Sequence, residues 1–205
     1  MILKSFAGTL STVLFSLVIA PCVYATPTYI INGGLLTGID NIAIGSNTYN
    51  VDFIDSTYES LFGADGSGID FNNFNDAENA SLALSGLLID DVIINAVVYD
   101  FDFITELTSG CANSGDNFCL IWTPYSTPDN NGNVNASIFL NQQFDPDPTL
   151  SASLPSTFDT SLNNSYVFVD WTPVSSSVPE PDIALLVATG LFGLIGASVR
   201  RKRRD

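Results

Sequence analysis

The sequence predicts an α+β domain, a mostly antiparallel sheet packed on one principal helix, and three observations carry that prediction. Several segments alternate apolar and polar residues, the signature of half-buried strands. One segment, Phe74 to Asp90, repeats its apolar residues at helical spacing instead. Both ends of the 205-residue chain are apolar and flank a polar middle, so the folded domain is read between them. An all-β sandwich with a helical insertion is the competing arrangement.

The elements follow in chain order. Met1-Ile2-Leu3-Lys4 is a short positive region, Phe6 to Ala20 is apolar, and Val23-Tyr24-Ala25 has small-x-small character. Together they form a secretory signal peptide over residues 1–25, with cleavage between Ala25 and Thr26. Thr26 to Gly34 reads as a lead of mixed character. Leu36 to Ile54 reads as a β-hairpin turning at Gly45-Ser46-Asn47, with Tyr49, Val51 and Phe53 alternating on the return. Ser56 to Gly68 reads as a looser connection. In the helical segment, Asn75 with Glu78 three residues later resembles a capping box. Ala77, Ala80, Leu84, Leu87 and Leu88 form its apolar stripe.

Asp91 to Ile104 carries a strand signal in which Val97, Tyr99, Phe101 and Phe103 alternate with Asp100 and Asp102. Phe118 to Thr123, Val134 to Leu140 and Tyr166 to Trp171 are the remaining predicted strands, with Pro146 and Pro148 breaking the chain between the last two. The acidic domain is expected over residues 26–174, ahead of a Ser-rich linker at 175–178.

The charge is segregated. All six basic residues are Lys4 or lie within Arg200 to Arg204, so the expected mature domain holds no Lys, Arg or His. It carries nineteen of the 22 acids. Such a domain cannot neutralise phosphates, which excludes nucleic acid as a direct partner. It also lacks Ser-His-Asp and Cys-His arrangements, Schiff-base lysines and arginine clamps. Cys22 would leave with the signal peptide. Cys111 and Cys119 remain as an even pair in an exported domain and are expected to form a disulfide.

The chain ends in three parts. Pro179-Glu180-Pro181 cannot start a helix, because each proline restricts the residue before it. The uncharged apolar run 183–199 follows, and seventeen residues at ~1.5 Å each span roughly 26 Å, the short end of a membrane crossing. Arg200, Arg201, Lys202, Arg203 and Arg204 then hold the C-terminus on the cytoplasmic side. In this order and place, residues 179–205 resemble the PEP-CTERM sorting tail of envelope and biofilm-associated bacterial proteins. The resemblance implies an exosortase in the inner membrane as partner, cutting near Pro-Glu-Pro, and delivery to the cell envelope or the exterior. Before processing, 183–199 would hold the chain in the inner membrane. The competing reading is a plain C-terminal anchor.

Candidate chemistry is sparse. Asp159-Thr160-Ser161 is similar to the Asp-Thr-Ser/Gly turn of aspartic proteases, which need two such carboxylates. Asp100, Asp102 and Glu106 are the acids a glycosidase arrangement would use. Asp65 and Asp70 bracket a Gly-x-Gly-x-Asp sequence of calcium-loop type, and Asp129 opens a turn with calcium-loop residue types, so Ca²⁺ is the one cofactor considered. Trp122 and Trp171 are the residues that would serve an extracellular polysaccharide. The sequence is therefore read as a non-enzymatic, exported envelope or matrix protein. A carbohydrate- or Ca²⁺-binding surface module is the alternative, and a carboxylate-based hydrolase stands behind both.

Overall fold

The computed structural model describes residues 25–112, 115, 117–143 and 148–175. Residues 1–24, the last three linker residues and the sorting tail, with Pro179-Glu180-Pro181, the 183–199 run and Arg200 to Arg204, lie outside the described residues. Among the described residues, no helix is long and apolar enough to cross a membrane.

The architecture is α+β. Among the described residues, seven strands form one sheet: β1 (Thr28–Asn32), β2 (Leu35–Ile44), β3 (Asn47–Ile54), β6 (Phe118–Pro124), β7 (Asn133–Gln142), β8 (Thr149–Pro155) and β9 (Tyr166–Pro173). Their spatial order is β1-β2-β3-β9-β6-β7-β8, and the short strands β4 (Val92–Ile94) and β5 (Val97–Tyr99) pair separately. All neighbours run antiparallel except β6 and β9, which are parallel over Leu120↔Tyr166 to Trp122↔Phe168. The last strand thus lies at the centre and joins an N-terminal half, β1 to β3, to a C-terminal half, β6 to β8.

Alternation along β9 splits the core into two clusters. Val167, Val169 and Trp171 face the long helix α2 (Phe74–Leu88), together with Leu36, Ile39, Val51, Ile121 and Phe139. Phe168 faces the other way, where the one-turn helix α1 (Tyr58–Phe62) supplies Tyr58 and Phe62. The rings of Tyr58, Phe62 and Phe168 meet at 5.2 to 6.4 Å between centroids, the range of edge-to-face packing. Ala77, Ala80, Leu84 and Leu88 of α2 are buried as the stripe predicts, and Leu87 is partly buried. Two buried serines, Ser81 and Ser85, complete the helix's inner face; Ser81 reaches the Thr123 hydroxyl, which also accepts from Trp171 Nε1 at 3.3 Å.

Four local expectations are corrected. The cap of α2 is Asn73, whose Oδ1 accepts from Asp76 N–H while its Nδ2 donates to Asp76 Oδ2. The Asn-x-x-acid pattern occurs twice in overlap, and the earlier copy acts. The segment 91–104 is not one strand: Asn95 and Ala96 adopt φ of 51° and 65° and fold it into the β4–β5 hairpin, a mirror-type turn. The lead 26–34 contains edge strand β1. A further strand, β8, begins right after Pro148.

Cys111 and Cys119 form the expected disulfide, with both side chains fully buried. Beside it, Gly110 has a φ of 85°, and a Cβ there would stand 2.6 Å from Val167 Cγ2. Glycine alone lets this loop approach the central strand.

Candidate functional site

The acids divide into those that build turns and those that face one another. Asp65 Oδ1 accepts from Ser67 N–H. Asp129 Oδ1 accepts from both Asn131 and Asn133 N–H at 2.8 Å. These bonds stabilise the ionised form and hold both carboxyls below the usual carboxylate range. Asp159 caps a short 3-10 turn, accepting from Ser161. Asp100 Oδ1 accepts from Phe103 N–H. Each of these four behaves as a local turn-former. Among the described residues no group of three or more His, Cys, Asp or Glu stands close enough to hold a metal, so Asp65, Asp70 and Asp129 are not brought together.

A second set of acids lines the sheet. Asp52 and Asp170 are directly opposite in the β3–β9 register. Partial burial raises both above the usual carboxylate range, and the repulsion of Asp40 on Asp52, and of Asp52 on Asp170, adds to it. Asp70 lies at the end of this row. Its carboxylate accepts from the Trp171 backbone N–H, yet burial and the charge of Asp170 push it up to about 6. No basic residue in the domain offsets these charges.

The row makes a pH prediction. A folded-state value above the unfolded one means the native state binds more protons in between. Stability is therefore fully present below about pH 4 and falls as pH rises through about 6. Two pKa units would correspond to about 3 kcal/mol, but Asp70 is exposed on one side and solvent screening reduces this to about 1 kcal/mol. Asp70→Asn should raise urea stability by about that much at pH 7.5 and leave pH 4 unchanged. A variant with the full pH slope of the parent would remove Asp70 as its source.

Both tryptophans are buried, Trp122 at 6% and Trp171 at 2% exposure. Neither offers a platform to a sugar, so the carbohydrate reading loses the two residues on which the sequence rested it.

A pocket of about 250 Å³ opens instead beside the disulfide, lined by Phe103, Ile104, Thr105, Glu106, Asn117 and Gln143. Local bonds fix its walls. Gln143 N–H donates to Asn117 O at 2.9 Å, carrying the β6–β7 ladder one rung past its regular end. Asn141, two rungs further in, donates from Nδ2 to Phe101 O and pins the 101–103 turn against the sheet. Glu106 Oε1 accepts from Gly115 N–H at 3.0 Å, across the disulfide loop. Phe103 is half exposed, at 51%. The sequence named Glu106 as one of the acids a glycosidase arrangement would use, together with Asp100 and Asp102. The sequence carried no signal for the pocket, which the neighbouring segments 103–106 and 115–117 assemble with Gln143, just past the end of β7.

Compared with known proteins, the chain matches no protein-family model, no curated protein and no solved structure.

Proposed function

We propose that the chain is the precursor of an exported, exosortase-sorted protein whose acidic α+β domain serves at the cell envelope or in the extracellular matrix without catalysing a reaction. The observation that carries this reading is the segregation of charge. Every basic residue sits in the expected leader or at the extreme C-terminus, where Pro179-Glu180-Pro181, the 183–199 run and Arg200 to Arg204 follow one another. Orientation is set by basic residues flanking an apolar span, so this distribution sends everything between the two ends out of the cytoplasm. The Cys111–Cys119 bond is consistent with an oxidising destination. Asp159, the one carboxylate in an Asp-Thr-Ser setting, is spent on a turn.

The test is the intact mass of the protein recovered from outside its native host. A mass running from Thr26 to near Pro179–Pro181, with any added glycan, is the expected result. Retention of Ile183 to Asp205 would reduce the tail to a plain anchor and remove the sorting assignment.

A further inference from the structure

We propose that the pocket walled by Phe103, Glu106, Asn117 and Gln143 binds a neutral or amino-bearing sugar ring of an extracellular glycan. The inference goes beyond the sorting route; that the glycan is extracellular rests on that reading, while binding itself is measured on the purified domain and fails or succeeds separately.

Four observations lead there. The pocket combines one half-exposed aromatic ring with two side-chain amides and a carboxylate. That set matches a pyranose, whose C–H face is apolar and packs on an aromatic ring while its hydroxyls both donate and accept. An amide offers donors and acceptors together, and a carboxylate keeps acceptor capacity after taking one bond, here that of Gly115. Next, Asn117 and Gln143 occupy opposite positions of one extended ladder rung. The two amides are therefore set by the sheet rather than by a free loop, as a specific polar site requires.

Size limits the ligand. At about 250 Å³ the pocket falls below the roughly 300–1,000 Å³ of sites for drug-sized molecules, so it holds a single ring and leaves the rest of a glycan in solvent. Charge selects the kind of sugar. Glu106 stands in a domain with nineteen acids and no basic residue, so a uronic acid or sulfated sugar meets uncompensated repulsion. A neutral sugar meets none, and a protonated amino sugar gains attraction to Glu106 and to the face of Phe103.

The experiment titrates the oxidised mature domain, labelled for amide NMR, with cellotetraose, a chitosan tetramer and a tetragalacturonate in parallel. Supporting results are shifts at the amides of residues 103–107, 117 and 143 with the first or second ligand and at least tenfold weaker response to the third. Phe103→Ala should weaken binding at least tenfold and leave the remaining amide spectrum in place, since half of the ring already faces solvent. Glu106→Gln should remove the preference for chitosan over cellotetraose. Leu162→Ala, at a position 84% exposed and remote in sequence, is the control and should bind as the parent does. No shift with any of the three sugars, shifts confined to other surfaces, equal binding of the galacturonate, or unchanged binding by Phe103→Ala would each overturn the proposal.

Discussion

Phe168→Ala is expected to destabilise the domain by about 3–5 kcal/mol, the usual cost of truncating a buried Phe. Phe168 is fully buried in the central strand β9, opposite Trp122 of β6 and within ring contact of Tyr58 and Phe62. The cavity would open under α1, whose five residues are held by those aromatic contacts, the Thr57 cap and hydrogen bonds of Tyr58 and Glu59 to Ser126, Ser156 and Phe158. A single domain has about 5–15 kcal/mol in total, so this change consumes a large share. Urea unfolding should show a lowered midpoint with an unchanged slope. A loss below about 1 kcal/mol would mean that α1 collapses onto the sheet and fills the space.

Reduction of the Cys111–Cys119 bond should lower stability by about 2–3 kcal/mol through the chain entropy of so short a loop. Comparing oxidised with reduced parent protein is cleaner than serine variants, because both sulfurs are buried and a hydroxyl there would add a desolvation cost. Calorimetry should report a fall in Tm of roughly 5–10 °C for a domain of this size. The effect should extend to the pocket, because Asn117 lies two residues before Cys119 and Gly115 inside the closed loop. An unchanged Tm would show that the loop is held by other contacts, of which the bond from Gly115 N–H, inside the loop itself, to Glu106 Oε1 is one.

What could be read from the sequence follows the strength of its local signals. The β2–β3 hairpin was legible because Ile42, Tyr49, Val51 and Phe53 alternate and Gly45, at a φ of 62°, supplies the turn. Helix α2 was legible from its stripe and from its start at Phe74, while its cap was placed two residues late because Asn73 and Asn75 present the same pattern. Strands β1 and β8 carry weak signals: each is an edge, and β8 reads Thr-Leu-Ser-Ala-Ser-Leu-Pro, with only Leu154 fully inside. The β4–β5 turn was hidden because Ala96, at positive φ, carries no turn signature. The acids facing one another across β3 and β9 were invisible for a different reason. Their meaning depends on register, and register between distant strands is a property of the whole sheet.

The central place of β9 bears on when the domain can fold. A chain crossing a membrane from its N-terminus delivers β1 to β3 first and β6 to β8 later, and neither half can close its inner edge until Tyr166–Pro173 arrives. A chain that ends between β8 and Tyr166 leaves the facing edges of β3 and β6 unpaired, with only α2 packed on both halves. The fold is thus locked by its final eight residues of strand. On the proposed export route the sheet therefore closes only after Tyr166–Pro173 has crossed, and a product cut short before Tyr166 lacks the strand that joins β3 to β6.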